Sequence, residues 1–145
     1  MIKITVDELI KKASIIVDTT SKDLDNIIAK AVKTDISIPD YEEMKSRQTF
    51  YTKYSDIVTL NSDIARGLLS ANKLILSLKD IVVEIANTKT IQYSIVSKYR
   101  DTLNNQVNKL NEKVEIINEY KRSLEHTLKF YNSLQYILSS YRFEE

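Results

Sequence analysis

The chain has one imidazole, His126, and it stands directly after a carboxylate, Glu125. Helical bundles hold paired metal ions through Glu-x-x-His spacings on facing helices. Here the position three before the histidine is Ser123, and one histidine cannot furnish two such motifs. Glu112, Glu115 and Glu119 share one helical face as an acid cluster would, but Lys109, Lys113 and Arg122 are interleaved with them. Carboxylates and bases three and four residues apart on a helix pair in solvent, so this reads as an ion-paired outer face. The absence of cysteine removes thiolate nucleophiles, thiolate metal sites and disulfides together. A single glycine, Gly67, and a single proline, Pro39, leave no material for a phosphate-cradling loop, and no Ser-His-Asp order is present. The expectation is a non-enzymatic protein with no cofactor and no metal.

Charge narrows the partners further. Lysine and arginine number 21 against 20 acids, and the balance is local, with six bases and seven acids over 1–40, seven and six over 41–90, and eight and seven over 91–145. Capture of nucleic acid or an anionic membrane needs a concentrated positive field, which this distribution lacks. No apolar run approaches the ~20 residues of a bilayer span. The opening Met-Ile-Lys-Ile-Thr-Val-Asp-Glu does not have the basic-then-apolar layout of a secretory signal. A cytoplasmic protein, or one assembled into a larger particle such as a virion, is expected. The usage of Ile, Lys, Asn and Tyr with little Ala, Gly or Pro is that of an AT-rich genome, such as a low-GC bacterium or its phage.

Two groups of rings and bases define an alternative. Tyr93, Lys98, Tyr99 and Arg100, then Lys129, Tyr136 and Arg142, interleave aromatics with cations, the chemistry by which single strands are stacked and their phosphates neutralised. On that reading the chain is a single-strand nucleic-acid-binding accessory factor, similar to the small helical recombination mediators of phage. The C-terminal Tyr141-Arg-Phe-Glu-Glu145 resembles the Tyr-x-x-x-acid export signal of small helical-hairpin proteins secreted by Gram-positive bacteria. The Trp-x-Gly turn of that group is absent, since the chain has no tryptophan.

The elements that would carry these residues are helices. Val96, Leu103, Leu110, Ile117, Leu124, Tyr131 and Leu138 recur every seven residues, and Val107, Val114 and Leu128 form a second line four residues after members of the first. Alternating steps of four and three are the seam of a coiled coil. A preceding stretch is also periodic, through Tyr51, Val58 and Ala65 and through Tyr54, Leu68 and Ile75, with Asp40 and Glu43 as its capping pair. Between the two stretches, Asn87-Thr88-Lys89-Thr90 combines an asparagine that tolerates a left-handed helix end with poor helix formers. Folding there gives two arms of matching length and gathers Tyr41, Phe50, Tyr51 and Tyr54 with Phe130, Tyr131, Tyr136 and Tyr141 at one end. Gly67 lies inside the first arm, either as a tolerated residue costing ~1 kcal/mol or as a point of close backbone approach. Upstream, Thr5 with Glu8 starts a short helix and Asp18-Thr19-Thr20-Ser21 ends it. Leu24, Ile27, Ile28, Ala31 and Val32 then stripe a second short helix, and Pro39 marks the joint. The predicted fold class is all-α: a long antiparallel, coiled-coil-like hairpin preceded by two short helices. It forms one domain over 1–145, with short helices within 1–35, a long helix over 40–87 and a heptad helix over 91–141.

Such a hairpin has a wide apolar stripe. Its expected use is contact with a protein partner or with further copies, through the seam and side face of Val96, Leu103, Leu110, Ile116, Ile117, Leu124, Tyr131, Leu134 and Leu138. Ile57, Ile64, Leu78 and Ile85 add a side face from the other arm. The competing expectation is that the N-terminal helices fold along the hairpin and bury this stripe in a monomeric four-helix bundle. Asn61, Lys121 and Gln135 interrupt or adjoin the seams, where polar groups set register and partner number.

Overall fold

The structure, a computed structural model, describes residues 6–40, 46–87 and 93–135. The all-α expectation holds. Three helices, α1 (Val6–Lys33), α2 (Arg47–Ala86) and α3 (Tyr93–Gln135), account for the regular structure, with no strand among the described residues.

Helix α1 corrects the expectation of two short helices, because it runs unbroken for 28 residues. The hydroxyl of Thr19, expected to help end one helix and cap the next, instead donates to the carbonyl of Ile15 four residues back, at 3.0 Å. A hydroxyl satisfied inside the helix gives the chain no reason to leave it. Continuity also sets one register, in which Ala13, Val17, Leu24 and Ala31 are buried. That register turns Val32 outward, a residue that the sequence pattern grouped with the apolar stripe.

After α1 the chain turns at Thr34, whose amide and hydroxyl both donate to the carbonyl of Lys30. The non-helical stretch through Ile36, Ile38 and the buried Pro39 follows, where the joint was predicted. Helix α2 begins later than predicted. Residue 46 is not helical, and the Ser46 hydroxyl accepts from the Thr49 amide at 3.3 Å, the bond of an N-cap. Residue 43 of the predicted capping pair lies outside the described residues. At its far end α2 closes with the Asn87 amide on the Val83 carbonyl at 3.1 Å. No described residue has a positive φ, so the left-handed asparagine expected at this end is not used. Residues 88–92, where the hairpin turn was placed, lie outside the description, as do 136–141 at the end of the predicted heptad helix.

The helices pass through two compact units. The first holds the described residues up to Asp25 and from Gly67 to Glu115. Its core takes Ala13, Val17 and Leu24 from α1, Leu68, Ala71, Ile75, Leu78 and Ile85 from α2, and Leu103, Val107, Leu110 and Val114 from α3. Gln106 Nε2 donates to the Ser14 hydroxyl at 2.9 Å, and Lys113 reaches Asp25 at 2.8 Å, so α1 and α3 ascend in the same direction here.

The second unit holds the described residues from Asn26 to Arg66 and from Ile116 onward. Ala31, Phe50, Ile57, Leu60, Ile64, Ile117, Leu124 and Tyr131 form its apolar core, with Thr127 as a buried polar residue. Of the predicted gathering of rings, Phe50, Tyr51, Tyr54, Phe130 and Tyr131 meet, while Tyr41, Tyr136 and Tyr141 lie outside the described residues. Tyr131 lies with its ring centroid 5.1 Å from Phe50, 5.2 Å from Tyr54 and 6.2 Å from Phe130. Tyr54 donates its hydroxyl to Asn132 at 3.4 Å. Offset and tilted ring pairs at these separations add to the area that the rings bury.

Candidate interaction surface

Burial separates the residues available for contact from those used inside the chain. In α3 the first heptad line turns inward: Leu103 and Leu110 in one unit, and Ile117, Leu124 and Tyr131 in the other, are all buried. Val107 and Val114 on the second line are buried as well, and Leu128 is half-buried. Ile116 is exposed. Val96 and Leu134 lie on α3, but their side chains are outside the described part, and Leu138 is outside it altogether.

Helix α2 reverses part of the expected pattern. Of its two predicted lines, Leu68 and Ile75 are buried and Tyr54 is half-buried, whereas Tyr51, Val58 and Ala65 are exposed. Ile57, Ile64, Leu78 and Ile85, expected on an open side face, are buried within the chain. The reason is one of area. The inward face of α2 can offer isoleucine and leucine at nearly every turn, and turning that face inward buries more apolar surface than turning the tyrosine line inward.

That choice leaves apolar side chains on the outside of α2. In the first unit Leu69, Leu76 and Val83 are 58%, 63% and 58% exposed, at seven-residue intervals. Their neighbours Asn72, Lys73, Lys79 and Asp80 are also exposed. Ile15 is a further large exposed apolar residue of that unit, on α1. In the second unit an open cleft of about 890 Å³ lies beside the 34–38 segment, lined by Val32, Ile38, Tyr120, Arg122 and His126 among others. The Thr127 hydroxyl donates to the Ile36 carbonyl at 2.5 Å and fastens that segment to α3.

Two carboxylates in the second unit are held in their charged form. Asp35 accepts from the hydroxyl and amide of Ser37 and pairs with Lys53 at 3.1 Å, which lowers its pKa to about 2. Asp63 lies below the usual carboxylate range, chiefly through its hydrogen bond from Lys30 at 2.5 Å and then through Arg66. Asp35 ties the segment after α1 to the first turns of α2, and Asp63 ties the last turn of α1 to the middle of α2.

The polar residues proposed to set register are distributed along the helices. Asn61 is half-buried on α2, and Lys121 is half-buried on α3 with Glu125 at 3.9 Å, while the side chain of Gln135 is outside the description. Among the ring-and-base residues, Lys98 is exposed and Tyr99 and Arg100 are half-buried in the first unit, and Lys129 is exposed in the second. The side chain of Tyr93, and Tyr136 and Arg142 entirely, lie outside the described residues. Lys113, expected to pair with glutamates of its own helix, pairs across to Asp25 of α1. His126 is exposed, and no group of three metal-ligating side chains occurs among the described residues. No helix among them is long and apolar enough to cross a membrane. No protein-family model matches the chain, and neither a curated protein nor a solved structure is similar to it.

Proposed function

We propose that the chain is a non-enzymatic assembly protein that works by helix-to-helix contact with a protein partner or with its own copies. One observation carries this reading: α2 keeps Leu69, Leu76 and Val83 in solvent at seven-residue intervals although its opposite face is fully used in the core. Scattered apolar residues on a surface are ordinary, but large ones repeated at the coiled-coil interval on one helix make a line that another helix can cover. In this reading α2 and α3 form an antiparallel, coiled-coil-like hairpin. The meeting of Phe50 and Tyr54, near the start of α2, with Tyr131 and Asn132, near the end of α3, supports that pairing.

The test is recovery of the full chain from its native source after chemical cross-linking. A stoichiometric complex, with itself or with another helical protein, is expected, and a chain recovered alone overturns the reading. The nucleic-acid alternative is separated by titrating a labelled oligonucleotide at two salt concentrations. Tight binding that falls steeply with salt would replace the assembly reading, since neutralised phosphates release counterions.

A further inference from the structure

Resting on that assembly reading, we infer which face docks and what covers it: the outer face of α2 between Gly67 and Ala86 packs antiparallel on the same face of a second copy, about a two-fold axis at Leu76. The apolar residues meet the requirement of such an axis, which is that the patch be complementary to itself. Leu76 meets its own copy, and Leu69 and Val83, seven residues to either side, meet each other twice.

The charges suit a second copy in this arrangement. Lys73 lies three residues before Leu76 and Asp80 four after it, on the same solvent-side flank of the line. Both are exposed, and neither makes an ion pair or hydrogen bond among the described residues. At 1.5 Å per residue they are separated by ~10 Å along the helix, too far to pair with each other. Across the proposed axis, each Lys73 falls within about one residue's rise of the other copy's Asp80. On the opposite flank Asn72 and Lys79 are related in the same way, so the amide oxygen of one copy can accept from the ammonium of the other. A parallel two-fold carries each flank to the opposite side, which leaves Lys73 against the other copy's Asn72 and Asp80 against its Lys79, so the two directions differ in which charges they pair. A different protein would place no such mirrored requirement on this face.

The face is ~30 Å long, and a single helix stripe of this length covers less than the ~800 Å² per partner of a standard stable interface. The dimer is therefore weak and concentration-dependent. Sedimentation of the full chain from ~1 µM to ~1 mM spans the range in which such a contact is read. The wild type is expected to associate with concentration. Leu76→Glu is expected to weaken association by about tenfold or more without loss of helix signal, because the residue lies outside the core. Lys73→Glu and Asp80→Lys each place like charges opposite one another twice and are expected to weaken association by several-fold. The decisive arm mixes those two variants, since a Lys73→Glu chain beside an Asp80→Lys chain regains both attractive pairs. The mixture, and the doubly swapped chain, are expected to associate as the wild type does.

A wild type that stays monomeric throughout overturns this inference, while the cross-linked complex remains the separate test of the assembly reading. An oligomer indifferent to Leu76→Glu overturns it in favour of another face. Sensitivity to Leu76→Glu without recovery in the mixture overturns the antiparallel two-fold arrangement.

Discussion

The hydroxyl of Thr127, in the last quarter of α3, donates to the backbone carbonyl of Ile36, 91 residues earlier, at 2.5 Å. Thr127 is buried and Ile36 is half-buried, so neither group has free exchange with water. A bond of this kind stabilises modestly when made and costs more when one partner is removed, because the other is left desolvated. Thr127→Val keeps the shape and removes the donor. It is expected to lower unfolding free energy by ~1–2 kcal/mol in urea denaturation, with Thr127→Ser retaining most of it.

Two neighbouring isoleucines give a sharp test of the register of α3. Ile117 is 1% exposed and Ile116 is 44% exposed. Truncating the first leaves a cavity and is expected to cost ~2–5 kcal/mol, while truncating the second is expected to stay within ~0.5 kcal/mol. Thermal or urea unfolding of Ile117→Ala and Ile116→Ala measures both, and equal losses would mean that the helix is rotated from the register described.

Acid should act through Asp35. Its folded pKa is about 2, depressed by Ser37 and then by Lys53, against ~3.9 in an unfolded chain. A depressed carboxylate stabilises fully above the unfolded value and loses that contribution as pH falls through the folded one, here between about 4 and about 2. The Asp35 side chain is 62% exposed, so solvent screening reduces the nominal linkage energy to under ~1 kcal/mol. Asp35→Asn is expected to be less stable than the wild type by that amount at pH 6, with the gap closing towards pH 2. A gap that persists unchanged at pH 2 would assign the effect to geometry and not to charge.

Gly67 is helical, half-buried and within α2, and it does not use the positive φ that glycine permits. Alanine at a helical position restricts the unfolded chain and stabilises the helix by roughly 0.5–1 kcal/mol. Gly67→Ala is therefore expected to raise the melting temperature by ~2–4 °C for a chain of this size. A lowered melting temperature would reveal that another backbone passes too close for a methyl group.

How much of this was readable in advance differs by helix, and for physical reasons. Helix α3 was legible because its first heptad line is apolar throughout and turns inward, so periodicity and burial coincide at Leu103, Leu110, Ile117 and Leu124. Helix α1 was misread because threonine hydroxyls signal a helix end locally. The burial of Ala13, Val17, Leu24 and Ala31 along one register outweighs a few tenths of a kcal/mol of poor propensity at Thr19 and Thr20. Helix α2 carries apolar residues on two faces, and periodicity alone cannot say which one the rest of the chain will cover. The outer face with Leu69, Leu76 and Val83 emerged only once Leu68, Ile75 and Leu78 were seen to be inside. Their heptad spacing was present in the sequence all along, and so were Lys73 and Asp80 on either side of Leu76.

Three polar partners of α1 and of the segment after it come late in the chain, on α3, although Lys30 and Asp35 find theirs earlier in Asp63 and Lys53. Ser14 waits for Gln106, Asp25 for Lys113 and Ile36 for Thr127, with separations of 92, 88 and 91 residues. During synthesis at ~5–20 residues per second, the first helix leaves the ribosome ~5–20 seconds before its α3 partners exist. Throughout that interval Val17 and Leu24 face water, or a chaperone, instead of α3. A ribosome stalled before Gln106 would thus hold an amphipathic helix with only α2 to pack on, and the nascent chain lacks about a third of its core at that stage of its production.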